Sequence, residues 1–415
     1  MDSSLYVLVE DLRGVDAARI LAHGVSSITV GAAYHRARDV TPHGRSRVTF
    51  RHDGVHFALD GHFDGLRLVP PVREGADEEP LRALREETRA LGVALHGWGV
   101  FLHNTTLGLA FPDVTQENCF GDRAAPADLC PSHPDVRAYA VALGRAIARQ
   151  GTDSVVAESL HFGTFGHGYH HERSFVDLGP AAEFALGLCF CEHCRHRVPG
   201  ADQARDVAAR LAASVLDGGP PVEEIPDVLA EFARARTPVV TSLVAEVADA
   251  VAAEGSPLTF IDLTGAMKGY ADGLPTGAPA AADAWQVGID PASLAGAVPS
   301  YAVLCYAQDA GRIAEDVAAY RAALGPDTAL RAVLRPGKPD TASAEHLAAK
   351  AGAARASGAD TVDFYQYGLV PLPVLDRITG LDRTSVLDRT SVLDRTTVLD
   401  RNAAHRLNER RRGSR

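Results

Sequence analysis

Eight short aliphatic runs punctuate this sequence, and helical stretches lie between most of them. The runs are Tyr6–Val9, Ser27–Val30, Val93–His96, Ser154–Glu158, Leu258–Asp262, Ala302–Cys305, Leu330–Leu334 and Thr361–Phe364. Each is short and rich in aliphatic or β-branched residues, as expected of strands buried on both faces. Apolar residues at three- and four-residue spacing, with Arg and Glu between them, mark helices at Val15–Ala22, Glu79–Leu91, Asp135–Arg149, Ile313–Leu324 and Ala342–Ala356. Strands that alternate with helices pair in parallel through right-handed crossovers. About eight such units predict an α/β fold closed as a (β/α)8 TIM barrel. The runner-up is an open doubly wound sheet. Its dinucleotide-binding form lacks support, because the first strand runs into V-E-D-L-R-G and no G-x-G-x-x-G follows.

The barrel is expected over residues 1–375, interrupted twice. Residues 41–65, after the second strand, contain V-T-F-R-H-D-G-V-H-F-A-L, two β-rich runs across His52-Asp53-Gly54 that signal a hairpin. Residues 163–254, after the fourth strand, hold a His-rich loop, a cysteine cluster and two or three helices. Both insertions follow strand ends, where barrel enzymes carry their active-site loops. Residues 376–415 form a tail in which L-D-R recurs every six residues, with Leu375, Leu381, Leu387, Leu393 and Leu399 in register. A six-residue period drifts around a helix. The tail is therefore read as partly helical and partly disordered.

The chain has 415 residues, of which 46% are hydrophobic and 23% charged, enough apolar material for a large core. A formal net charge of −12 argues against a nucleic-acid-binding surface. The start, M-D-S-S-L-Y-V-L-V-E-D-L, shows no secretory signal, and no apolar run approaches the ~18 residues of a membrane span. A cytoplasmic location is expected. No oligomeric state is read from the sequence.

Functional groups of a barrel belong at the C-terminal ends of its strands. In order these are Glu10 and Asp11; Tyr34 and His35; His96, Trp98, His103 and Asn104; Glu158 and His161; Asp262; Tyr306 and Asp309; Arg335; and Tyr365 with Tyr367. Aromatic rings, histidines, an amide and carboxylates on one rim suit a carbohydrate, whose C–H faces stack on aromatic rings. Glycoside cleavage needs two carboxyl groups, one to protonate the leaving oxygen and one as nucleophile or base. Glu158 is the best acid/base candidate, since it ends an apolar strand whose burial would raise its pKa. Asp262 ranks first and Asp309 second as its partner. Tyr34, His35, His96, Trp98, His103, Asn104, His161, Tyr306, Arg335, Tyr365 and Tyr367 are candidate substrate contacts. Hydrolysis of this kind requires no cofactor.

Six cysteines are too sparse for a disulfide scaffold. Cys189, Cys191 and Cys194 nevertheless fall within six residues, which reads as a structural zinc site. Cys130, Cys119, His193 or His196 can supply the fourth ligand, with Cys130 preferred. Buried thiols or a disulfide staple are the alternatives. The run H-G-Y-H-H-E, with His167, His170 and His171, lacks the H-E-x-x-H spacing of a catalytic zinc helix and reads as a substrate or packing loop.

The order C-P-S-H-P-D-V-R-A-Y, then A-E-S-L-H-F, then C-F-C-E-H-C, and finally G-A-D-T-V-D-F-Y-Q-Y-G resembles hypothetical glycosyl-hydrolase-like proteins with TIM-barrel folds. These relate to the broad α-amylase-like and β-galactosidase-like barrels. The resemblance covers about residues 1–375 and implies a sugar-active barrel with its acid/base at Glu158. Retaining barrel glycosidases are expected to carry a second Glu at the end of the seventh strand, where this chain has Arg335. The partner is then Asp262 or Asp309, or the chain binds sugar without cleaving it. A metal-dependent sugar isomerase or epimerase is a further alternative.

Overall fold

The computed structural model of the chain describes residues 2–166 and 173–381. Its strands are β1 Ser4–Leu8, β2 Ser27–Tyr34, β3 Ala37–Val40, β4 Val48–Arg51, β5 Gly54–Val55, β6 Ala94–Val100, β7 Ser154–Glu158, β8 Leu258–Asp262, β9 Ser300–Leu304, β10 Ala329–Leu334 and β11 Thr361–Phe364. Eight of them close a parallel barrel in the order β1–β2–β6–β7–β8–β9–β10–β11 and back to β1. The (β/α)8 architecture is that expected from the alternating runs. Helices such as Pro80–Ala90, Pro134–Ala148, Ala310–Leu324 and Ala344–Ala356 cover its outer face.

Two strands run further than their aliphatic runs. β2 continues to Tyr34 through Gly31, and β6 continues to Val100 through Gly97 and Gly99. A Cβ at Gly31 would come within 2.8 Å of Leu8 Cδ2, and at Gly97 or Gly99 within 2.6 Å of Ile147. The glycines are therefore positions of close packing inside the strands, not strand ends.

The first insertion is built differently from the expected hairpin. β4 pairs antiparallel with β3, Val40 opposite Val48, and β5 instead joins β2 antiparallel. Asp53 does not sit in a turn. It is buried and accepts bonds from Arg36 N at 3.0 Å, Thr106 N at 3.0 Å and Thr106 Oγ1 at 2.7 Å, which pins the H-D-G segment to the rim. Arg51 links the hairpin to the end of β1 by pairing with Asp39 at 2.6 Å and Glu10 at 2.5 Å.

The second insertion contains helices Gly179–Gly187, Glu192–Arg197, Ala201–Leu216 and Asp227–Ala235. The next helix, Thr237–Ala252, belongs to the barrel itself. It packs against Pro134–Ala148 across Gly144, where a Cβ would stand 3.0 Å from Val247 and Val251. His167, His170, His171 and the tail beyond Leu381 lie outside the described residues.

Inward-facing side chains fill the barrel in layers. Its lower end is polar. Arg331 donates to Asp363 through Nε at 2.8 Å and Nη2 at 2.9 Å, and Asp363, fully buried, also accepts from Ser4 N. Ser4 and Thr29 hydroxyls stand 2.6 Å apart, and His96 Nδ1 is 2.8 Å from Ser154 Oγ. Above this floor lie Tyr6, Trp98, Val156, Ile261, Ala302 and Val333.

Candidate active site

The layer above the hydrophobic plug opens at the C-terminal ends of the strands as a cavity of about 240 Å³. Its polar and aromatic walls are Tyr6, Tyr34, His35, Trp98, His103, Glu158, Ser159, Tyr270, Tyr306, Arg335 and Tyr365. Among the described residues, Glu158 is the one carboxylate lining it.

Alternation along β7 puts Val156 and Glu158 on the inner face, with Glu158 level with Val100 of β6. Trp98 reaches the same height and donates its Nε1–H to Glu158 Oε2 at 2.7 Å. Burial raises the Glu158 pKa to about 7, against the opposing effects of the Trp98 bond and the charge of His103. The next residue, Ser159, has φ +60°, which a non-glycine residue rarely adopts. The chain thus turns sharply off the strand, so that Ser159 also lines the cavity while Leu160 returns to the core.

The walls are ordered by contacts among themselves. Tyr34 and Tyr365 hydroxyls are 2.9 Å apart, and Trp98 meets Tyr34 edge-on at 4.7 Å between centroids. His103 Nδ1 lies 3.2 Å from Asp128 Oδ1. Burial alone would lower the His103 pKa, but the bond to Asp128 and its charge raise it. Arg335 stacks over Tyr306 at 4.4 Å and donates to Asp340 with Nε at 2.8 Å and Nη2 at 2.5 Å. Its charge is engaged by Asp340, so it stands in the wall as an oriented cation.

Several strand-end candidates are not at this cavity. Asp262 points to the outer face of β8, where it accepts from Tyr301 OH at 2.6 Å and Thr264 N at 2.7 Å. Its neighbour Ile261 is the residue that faces inward. Asp309 is exposed and caps the helix Ala310–Leu324 by accepting from Gly311 N at 2.9 Å. Asn104 likewise caps Thr105–Ala110 through Leu107 N. His96 belongs to the polar floor, because β6 does not end there. Tyr367 is buried beside His43, with ring centroids 4.9 Å apart. His161 lines a smaller adjacent cavity with His103, Asp128 and Ser159. Glu10 is committed to Arg51 and to Arg73 at 2.9 Å; burial would raise its pKa, but His56, Arg51 and Arg73 hold it below the usual range.

Tyr6, Ser159 and Tyr270 line the cavity and are absent from the sequence candidates, as is Asp128, which holds His103 from the adjacent cavity. Tyr6 was within reach of a parity argument, two residues before the end of β1. Asp128 and Tyr270 sit in loops distant from any strand run. The placement of Asp262 makes a prediction: Asp262→Ala removes the acceptor of two buried donors and lowers stability by about 1–3 kcal/mol. Any activity per folded molecule is unchanged, as read by thermal unfolding and kinetics on the same sample.

No protein-family model matches the chain, and no curated protein is similar to it in sequence. Solved structures match in fold. A β-galactosidase from the psychrophilic Marinomonas ef1 aligns with TM-score 0.56 and 11% identity over 94% of this chain. The chain spans 60% of that protein's length. The catalytic domain of a β-amylase from Paenibacillus polymyxa aligns with TM-score 0.50 and 10% identity, covering 91% of this chain and 94% of the domain. The chain has the fold of glycosidase barrels. At these identities the likeness extends to the fold and to nothing finer. No helix among the described residues is long and apolar enough to cross a membrane.

Proposed function

We propose that the chain is a glycoside-hydrolase-like protein that binds a carbohydrate in the mouth of the barrel, with Glu158 as the proton donor. The observation that carries this reading is a carboxyl group at the end of the fourth barrel strand, held by Trp98, with a pKa of about 7, inside an aromatic cavity. A carboxyl group with that pKa keeps a proton near neutral pH and can pass it to a glycosidic oxygen as the C–O bond breaks. Trp98, Tyr34, Tyr306 and Tyr365 offer faces and hydroxyls to a sugar ring. The cavity is slightly smaller than the ~300 Å³ at which ligand pockets usually begin, which suits one terminal sugar unit. Hydrolysis by this route needs no cofactor, and the four-cysteine cluster is given a structural metal.

A second reading, a carbohydrate-binding barrel without cleavage, is favoured by one observation. A two-carboxylate mechanism needs a partner about 5–5.5 Å away for retention or about 6.5–9.5 Å away for inversion. No described residue other than Glu158 brings a carboxylate to the cavity wall. The isomerase reading has less support, since the group of potential metal ligands found among the described residues is the four-cysteine one.

A panel of aryl glycosides, assayed with wild type and Glu158→Gln, separates the two readings. Cleavage of at least one member by wild type, lost in the variant, supports hydrolysis. Binding with equal inertness on every member supports the second reading.

A further inference from the structure

We propose that Cys130, Cys189, Cys191 and Cys194 hold one zinc ion as a tetrathiolate, and that Arg236 is the buried cation balancing that centre. The inference concerns a site apart from the cavity and stands independently of what the cavity does.

The sulfur geometry is the first argument. Cys130 Sγ lies 3.5 Å from Cys191 Sγ, 3.5 Å from Cys194 Sγ and 3.7 Å from Cys189 Sγ. All four sulfurs are within 4.8 Å of one another. Around a zinc ion with bonds of about 2.3 Å, tetrahedral sulfurs stand about 3.8 Å apart. A disulfide would hold two of them at about 2.05 Å, and all four thiols are free. A soft, four-sulfur tetrahedral set selects zinc or iron. Of the other ligand candidates, Cys119 is outside the cluster, His193 packs against His133, and His196 is exposed beside Glu192.

The second argument is charge. Four thiolates and one Zn2+ sum to a dianion, and all four cysteines are buried. A buried anion of that size requires a compensating cation and hydrogen-bond donors. Arg236 is 1% exposed, and its Nε and Nη1 have no hydrogen-bond partner among the described residues. Its Nη2 donates to Gln286 O at 2.8 Å, and its guanidinium stacks over Phe162 at 4.4 Å. It also lies over Phe232, which is stacked on Phe190 between the cysteines at 189 and 191. Without an anion there, this guanidinium is an uncompensated buried charge. Glu117 N donates to Cys189 Sγ at 3.4 Å, and Ser132 Oγ accepts from the Cys194 thiol at 3.3 Å, a hydroxyl that would turn to donate once that sulfur is a thiolate.

The centre joins the loop after β6 to the loop after β7. Cys130 follows a segment that pairs with the His103 segment through Leu129 N to Leu102 O at 2.9 Å and Asn104 N to Ala127 O at 2.7 Å. The ion would thereby hold Asp128, behind the cavity wall, against His103.

Metal analysis of the purified full-length protein tests the tetrathiolate. One zinc per chain is expected, released only when a mercurial titrates the four thiols. Less than a tenth of an equivalent of zinc in folded protein, iron in its place, or a disulfide among the four cysteines overturns it. Chelator competition tests the counter-ion. Arg236→Met is expected to weaken zinc binding 10–100-fold, whereas Arg236→Lys stays near wild type. If Arg236→Met folds poorly, Arg236→Gln keeps a donor for Gln286 while removing the charge, and the same loss is expected. Wild-type affinity in either neutral variant overturns the role of Arg236.

Discussion

Glu158→Gln is expected to lower kcat/KM by 10²–10⁴-fold on a cleavable glycoside, the usual contribution of general acid catalysis. The loss should depend on the leaving group. An alkyl or sugar leaving group needs the proton, and its cleavage should show the largest loss, near 10⁴-fold. A dinitrophenolate departs with little assistance, and its cleavage should fall far less. Glutamine has nearly the volume of glutamate and still accepts the Trp98 Nε1–H bond that holds the carboxylate at 2.7 Å. Sugar affinity and the melting temperature at neutral pH should therefore not fall. A uniform loss across leaving groups, or a loss of binding equal to the loss of rate, would mean that Glu158 positions the sugar rather than protonates it.

Asp363→Ala should destabilise the fold by about 3–5 kcal/mol, because removing one partner of a buried ion pair strands the other charge. Asp363 is fully buried, receives both nitrogens of the Arg331 fork and accepts Ser4 N as well. The pair sits at the floor of the barrel, a full layer of side chains below the cavity. Denaturant unfolding reads the loss, and sugar binding by the folded fraction should be unchanged. The double variant Arg331→Met/Asp363→Leu should recover most of the stability, since an apolar pair of similar volume removes the need for charge compensation. A loss below about 1 kcal/mol for Asp363→Ala would mean that water screens the pair as it does at a surface.

The barrel itself was legible because strands covered on both faces read as aliphatic runs, and Ser154–Glu158, Leu258–Asp262 and Thr361–Phe364 coincide with β7, β8 and β11. That same double burial hid the inward and outward faces. In L-T-F-I-D both Phe260 and Ile261 are apolar, so nothing in the pattern says that Ile261 faces the interior and Asp262 the helices. Glycines hide strand length in another way. The aliphatic runs stop before G-A-A-Y and G-W-G, yet Gly31, Gly97 and Gly99 are close-packing positions within β2 and β6. The aliphatic run Val93–His96 therefore puts a strand end at His96, whereas β6 continues to Val100 and His96 lies near the floor. Asp309 and Asn104 resembled site residues, although each stands at the start of a helix, where Asp and Asn are common caps. Asp128 and Tyr270 reach the site through tertiary folding of long loops, a placement that local spacing does not encode. Cys130 is 59 residues from Cys189, and composition alone marked it as a ligand.

The central claim is that Glu158 holds a proton near neutral pH and delivers it to a bound glycoside. The sign follows from the pKa of about 7, raised by burial above the ordinary carboxylate value of 4.5. The acid form is the working form, so activity is expected below that value and lost as the pH rises through it. The pH dependence of kcat/KM on a substrate with a poor leaving group measures this directly. The account predicts a descending alkaline limb with an apparent pKa of about 7 that disappears in Glu158→Gln. A limb that persists unchanged in the variant, or a wild-type profile that stays flat through pH 9, would contradict it.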